Sequence, residues 1–236
     1  MKKRKYSSVE NALRLLNMFT VEKSEYRINE LAEQLSIAQS TVHRLLTTLS
    51  SEGFIAKDSL SNKYRLGISI RALESVVTKD MDLFHLSQDI IEENVLHTNL
   101  STSLAIIFRE TTFYLHAIEV ENPLFNKLSY IGKQCSFLST SAGHVLLFSM
   151  KDADILTFIQ DPSTVNILRN QLHTNGYIHS NHDHPFGLST IAVPIKNKKN
   201  EIIAALEMIG NERQLQTYVE TLKNAGIKLS NKLKNH

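Results

Sequence analysis

The chain has 236 residues, 42% of them hydrophobic and 21% charged, and 26 Lys/Arg nearly balance 24 Asp/Glu for a formal net charge of +2. That composition supplies a core and excludes a chain disordered by composition, and the total charge announces no nucleic-acid partner. A single cysteine, Cys135, excludes an internal disulfide and a multi-cysteine zinc site, a usage that fits a reducing cytoplasm.

The total hides an asymmetry. Residues 1–79 hold 13 Lys/Arg against 8 Asp/Glu, net +5, while residues 80–236 hold 13 against 16, net −3, with nine of the ten histidines. Such a split hints at a nucleic-acid or membrane-binding segment. Met1-Lys2-Lys3-Arg4-Lys5 is basic like the start of a signal peptide, but Ser7, Ser8, Glu10, Asn11 and Arg14 follow at once. With no apolar run near the roughly 20 residues of a spanning helix, the expectation is a soluble cytoplasmic protein.

Ser7-Ser8-Val9-Glu10 has the form of a helix capping box, and Val9, Ala12, Leu13, Leu16 and Phe19 follow at helical spacing. Asn29 is placed to cap a second helix carrying Leu31, Ala32 and Leu35. After a brief turn at Ser36-Ile37, a third helix runs from about Ala38 with Val42, Leu45, Leu46 and Leu49 apolar, and Gly53 stops it. Two short strands, 54–57 and 63–66, flank the turn residues 58–62. Three helices with a trailing hairpin make a winged helix-turn-helix.

The third helix offers Gln39, Ser40, Thr41, His43, Arg44 and Thr47, all hydrogen-bonding types and none acidic. Arg reads guanine bidentately, Gln reads adenine, and Ser/Thr serve bases or phosphates. Lys57, Lys63 and Arg65 on the hairpin, and the basic arm at residues 2–5, suit phosphates. A protein-interaction module with a solvated polar face is the alternative.

These residues also carry a resemblance. Ser8-Val9-x-x-Ala12-Leu13-x-Leu15-Leu16, Glu30-Leu31-Ala32-x-x-Leu35, the run Ser40-Thr41-Val42-His43-Arg44-Leu45-Leu46, Gly53-Phe54 and Tyr64-Arg65-Leu66-Gly67 resemble the N-terminal domain of IclR-type transcriptional regulators. That family usually carries Pro-Lys before Ser40, where this chain has Ala38-Gln39.

Residues 68–79 are free of Gly and Pro and read as a linker helix with apolar Ile70, Leu73, Val76 and Val77. In the resembling family this segment joins the domains and contributes to dimer contacts. Met81 opens the second domain, with a helix over 82–96 that puts Leu83, Leu86 and Ile90 on one stripe. Strands are expected at 101–108, 113–119 and 127–131, and helices at 140–148, 152–159 and 165–173. Strands return at 177–179, 188–194 and 202–209, before a closing helix over 212–233 whose Leu215, Leu222 and Leu229 repeat every seven residues.

The order of elements implies an α+β protein: a winged helix-turn-helix domain (1–67), a linker helix (68–79) and a domain with one curved antiparallel sheet (80–236). The resemblance implies a GAF/PAS-like effector-binding and oligomerisation domain there. It extends through Ile131-Gly132-Lys133, Thr140, Gly143, Leu146-Leu147, Gly176-Tyr177, Gly187-Leu188, Ile191-Ala192-x-Pro194-Ile195 and Ala204-Ala205-Leu206. Carried over by motif, it assigns an effector pocket to Ser141, Ala142, Ser180, Leu188, Thr190, Glu207 and Ile209. Members with small organic-acid effectors often have a small polar residue where this chain has Glu207. A carboxyl group there disfavours a simple anionic ligand.

His179, His182, Asp183 and His184 form a tight cluster of metal-ligating types, and with Glu207 nearby they would make a divalent-metal site. The alternative is a solvated polar loop. Otherwise no cofactor is implied. Catalysis has little support: there is no Gly-x-Ser-x-Gly elbow, and nothing requires Cys135 and His144 to meet.

The expected function is a one-component regulator, not an enzyme, that binds a double-stranded operator and responds to a small-molecule effector. Pairing of half-sites requires a dimer, and the resembling family commonly forms dimers of dimers. Two alternatives stay open: a second domain that serves only dimerisation, and a metal-responsive regulator using the histidine cluster.

Overall fold

In a computed structural model describing residues 6–20, 23–120, 131–181 and 188–236, the first helix begins where its capping box requires. Helix α1 spans Ser8–Leu16; Ser7 Oγ accepts from the Glu10 N–H at 3.1 Å, and the Glu10 carboxylate accepts from the Ser7 N–H at 2.7 Å. Its inward face differs from the one the apolar spacing picks out. Leu15 is fully buried, while Val9 and Leu13 are 69% and 55% exposed. Asn11 turns inward because its polar ends are satisfied: Nδ2 donates to the Tyr6 carbonyl and Oδ1 accepts from Arg14.

Helix α2 (Ile28–Leu35) starts ahead of Asn29; Arg27 is the capping position, its N–H donating to the Glu30 carboxylate at 2.6 Å. Leu31 and Leu35 are buried. Ser36 turns the chain at φ 56°, and α3 follows at Gln39–Ser51 with Val42 and Leu46 inside. Gly53, at φ +73°, ends α3: its N–H donates to Ser50 O at 3.1 Å and the Phe54 N–H to Leu49 O at 2.8 Å. That paired arrangement is the Schellman stop. Strands β1 (Ile55–Lys57) and β2 (Tyr64–Leu66) form the wing, and the Asp58 carboxylate holds its turn by accepting from the N–H groups of Leu60 and Ser61.

Helix α4 (Ile68–Lys79) ends this unit and starts at a tight joint. The Gly67 N–H donates to Phe54 O, the Ser69 N–H to Gly53 O and Ser69 Oγ to Glu52 O, at 2.8, 3.1 and 2.9 Å. A Cβ at Gly67 would lie 2.1 Å from the Gly53 carbonyl oxygen, so no larger residue fits there without a shift. Ile68, Leu73, Val76 and Val77 of α4 are all exposed in the single chain.

The chain divides into two units between Asp80 and Met81. The second begins with α5 (Asp82–Thr98), then β3 (Thr102–Phe108), β4 (Thr111–Ile118), β5 (Gln134–Cys135), a 3₁₀ turn at Phe137–Ser139 and α6 (Ser141–Leu147). Helices α7 (Asp152–Phe158) and α8 (Pro162–Asn175), strands β6 (Ile178–Asn181), β7 (Ser189–Lys196) and β8 (Ile202–Gly210), and α9 (Glu212–Asn235) complete it. Of the strand expected at 127–131, residues 127–130 lie outside the described residues; the described strand nearby is β5.

The six strands form one antiparallel sheet in the order β5-β4-β3-β8-β7-β6. Because successive strand residues point to opposite faces, each strand feeds two cores. One face packs Leu104, Ile191, Val193, Leu206 and Met208 against α5 and α9, where Leu215, Leu222 and Leu229 are buried. The seven-residue leucine repeat therefore serves the core. The other face packs Ala105, Tyr114, Ala192 and Ala205 against Ala142, Val145 and Leu146 of α6.

Candidate functional site

The two faces of α3 do different work. Val42 and Leu46 point into the first unit's core, while Gln39, Ser40, Thr41, His43, Arg44 and Thr47 are exposed. Helical spacing gathers them on the opposite face. Thr47 Oγ1 donates back to His43 O at 2.9 Å, leaving its lone pairs outward. Among the described residues, the side chains of Gln39, Ser40, Thr41, His43 and Arg44 have no hydrogen-bond or ion-pair partner. On the wing, Lys57 and Arg65 are exposed, whereas Lys63 pairs with Glu25 at 3.3 Å. The basic arm at residues 2–5 lies outside the described residues.

In the second unit the polar residues are inside. Thr140 Oγ1 caps α6 by accepting from the Gly143 N–H at 3.0 Å. This brings the first residues of α6 over the sheet, where the register sets Glu207 of β8 between Ser103 of β3 and Ala192 of β7. Both neighbours are small, which leaves Glu207 room to reach α6. Its Oε1 accepts from Ser141 Oγ and the Ala142 N–H, each at 2.9 Å, and its Oε2 accepts from the Tyr114 hydroxyl at 2.5 Å. Ser141 Oγ also lies 2.8 Å from Thr190 Oγ1. Burial pushes the Glu207 carboxyl above the usual carboxylate range, against the pull of these donors.

Of the seven pocket positions expected from sequence, Ser141, Ala142, Thr190 and Glu207 thus form one hydrogen-bonded cradle. Ile209 pairs with Thr190 in the sheet, and Ser180 beside it meets His144 Nδ1 at 3.0 Å. Leu188 is buried. A narrow cleft lined by Ser103, Ala117, Glu119 and Ile209 reaches Glu207. A larger groove of ≈ 500 Å³, bounded by Phe148, Arg169, His173 and Lys196, contains none of the expected positions.

Tyr114 is the member that sequence reasoning missed. The available signal was the period-two spacing of a strand, which puts Thr112 and Tyr114 on one face of β4; both are buried. For His179, the expected proximity to Glu207 is corrected. His179 pairs with Ile191 and so points to the α5/α9 face, while Glu207 points to α6. His182, Asp183 and His184 lie outside the described residues. Among those described, no group of three His, Cys, Asp or Glu side chains is arranged to hold a metal. Cys135 sits on the β5 edge with its thiol pushed up by burial, whereas His144 is tied to β6 at the opposite edge.

A winged helix-turn-helix with a free polar face on its third helix, in one chain with an antiparallel sheet that holds a polar cradle against α6, has the build of a DNA-binding transcriptional regulator. Family models agree: the IclR helix-turn-helix domain matches residues 8–59 and the bacterial transcriptional regulator IclR C-terminal domain matches residues 75–231. The chain belongs to the IclR family. It is 26% identical to the regulator XynR of Escherichia coli, over 96% of each chain. It is 27% identical to E. coli KdgR, over 97% of this chain and 94% of that one. An IclR homologue from Microbacterium hydrocarbonoxydans, solved with 4-hydroxybenzoate, superposes with a TM-score of 0.85 at 19% identity, over 98% of this chain and all of that one. No helix among the described residues is long and apolar enough to cross a membrane.

Proposed function

We propose that this chain is a one-component regulator whose operator affinity is set by a small molecule held in the second unit. The observation that carries the reading half is the row Gln39, Ser40, Thr41, His43 and Arg44: exposed, non-acidic and unpartnered within the described chain. Buried polar groups are normally paired, and an exposed partner-free row of this chemistry matches base edges and phosphates. Lys57 and Arg65 add phosphate contacts from the wing. The sensing half rests on Ser141, Ala142, Thr190 and Glu207, with Ser180, Leu188 and Ile209 around them. A ligand there acts only if it binds two arrangements of the protein with different affinity.

The exposed apolar residues of α4, Leu73, Val76 and Val77, support self-association as a dimer or tetramer. Two-fold pairing would present two reading helices to paired half-sites. The competing reading, a second unit used for self-association alone, predicts that no ligand alters operator affinity.

Arg44→Ala tests the reading half. An operator fragment is first selected from genomic DNA with the wild-type protein, and binding is then followed by fluorescence anisotropy at fixed salt. Loss of one base-reading arginine should weaken binding by about 1–3 kcal/mol, about fivefold to 150-fold, with unchanged circular dichroism and oligomeric state. Undiminished affinity would mean that Arg44 makes no contact with the operator.

A further inference from the structure

We propose that Glu207 is a built-in occupant of the second unit's polar cradle: its carboxyl group takes the donors that would hold the carboxylate of a small acid, and so closes the site to such ligands. The inference rests on reading the cradle as the ligand site, and it names the ligand class which that site refuses.

Four observations carry it. The carboxyl is bonded at both oxygens, to Tyr114, Ser141 and Ala142, which belong to β4 and α6, while Glu207 itself belongs to β8. All of these groups are buried: Tyr114, Ser141 and Ala142 are 0% exposed and Glu207 2%. No Lys, Arg or His among the described residues is hydrogen-bonded or ion-paired to Glu207. Finally, the flanking positions in the sheet, Ser103 and Ala192, are small, so the side chain crosses from its strand to α6 without obstruction.

A buried acid without a cation is costly, and a neutral residue could satisfy one or two of these donors with less desolvation. What the acid does uniquely is fill a three-donor cradle, backed by Thr190 Oγ1 against Ser141, with two oxygens of carboxylate geometry. That is the job of a ligand carboxylate. Here it is performed from within the chain, by a group tethered at the site and not supplied from solution.

The experiment is chemical rescue of full-length protein. Thermal unfolding is followed in sodium formate or sodium acetate against sodium chloride at matched ionic strength. The wild type should not distinguish these salts. Glu207→Ala should melt lower, and formate or acetate should restore it saturably, by roughly 5 °C at a hundredfold excess over the dissociation constant. Glu207→Gln, which keeps the space filled, should not respond. Saturable stabilisation of the wild type equal to that of Glu207→Ala would overturn the proposal, as would a Glu207→Ala protein indifferent to both acids. If Glu207→Ala cannot be recovered folded, Glu207→Ser takes its place under the same criteria, and the wild-type arm stands by itself.

The outcome separates this inference from the reading beneath it. Rescue without any ligand-dependent change in operator affinity keeps the occupied cradle and removes the effector. A small carboxylate that shifts operator binding of the wild type keeps the effector and removes the occupancy.

Discussion

The two units treat their polar side chains in opposite ways. In the first, Gln39, Ser40, Thr41, His43 and Arg44 of α3 are exposed and, among the described residues, unpartnered over a largely apolar core of Leu15, Leu31, Val42 and Leu46. In the second, Tyr114, Ser141, Thr190 and Glu207 are buried and bonded to one another. Donors left in solvent await an outside partner and cost little meanwhile. Donors taken inside must find a partner at once, because an unpaired buried polar group is expensive. A polar surface left in solvent can therefore stay open, while a buried polar cradle must be filled by a ligand, by water or, as at Glu207, by the protein's own side chain.

The comparison can be broken at its cores first. Leu46→Ala and Leu222→Ala each remove a buried leucine and should cost about 2–5 kcal/mol in their own unit. Differential scanning calorimetry should then show Leu46→Ala lowering one transition and Leu222→Ala another. Movement of both transitions by either substitution would mean that the two units unfold as one.

A smaller effect sharpens the contrast at the cradle. A Cβ at Gly143 would lie 2.3 Å from the Phe137 carbonyl oxygen, so Gly143→Ala must push α6 away from the turn before it. Overpacking of this kind costs about 1–3 kcal/mol. Near-ultraviolet dichroism of the tyrosines should change, while binding of the selected operator fragment by the first unit persists. An unaltered tyrosine signal would show that the cradle tolerates displacement of α6.

The smallest effect is electrostatic. The folded-state pKa of Glu207 is raised, chiefly by burial, above the unfolded value of about 4.3. The folded protein then holds the proton more tightly than the unfolded chain. That contribution is fully present below the unfolded pKa and is lost as pH rises through the folded one. Melting temperatures of wild type and Glu207→Gln, taken across the acid-to-neutral range, should therefore diverge, with the wild type losing ground as pH rises. A constant difference would mean that Glu207 titrates as it does when unfolded.

Much of the architecture was legible because it is local. The capping box at Ser7, the glycine stop at Gly53 and the limits of α4 follow from neighbours within a turn or two. The leucines at 215, 222 and 229 needed only helical spacing to be found, although their burial against the sheet was a matter of packing. Local pattern failed on α1, where Val9 and Leu13 look like core and Asn11 does not. Which face turns inward there is decided by α2 and α3, and Asn11 is admitted because Tyr6 and Arg14 satisfy it. The cradle was half legible. Glu207, Ser141 and Thr190 were nameable from motif, but Tyr114 is 93 residues from Glu207. Only the strand register brings the two together, and it also separates His179 from the acid.

The joint at Gly67 has a mechanical consequence. With Gly67 and Ser69 hydrogen-bonded three times to Phe54, Gly53 and Glu52 and no room for a side chain at Gly67, the start of α4 is fixed to the C-terminal end of α3. The direction in which α4 sets out is therefore tied to the placement of α3, as a crank is fixed to its shaft. The division between the two units falls beyond α4, at Asp80 and Met81, the cap residues at the end of one helix and the start of the next.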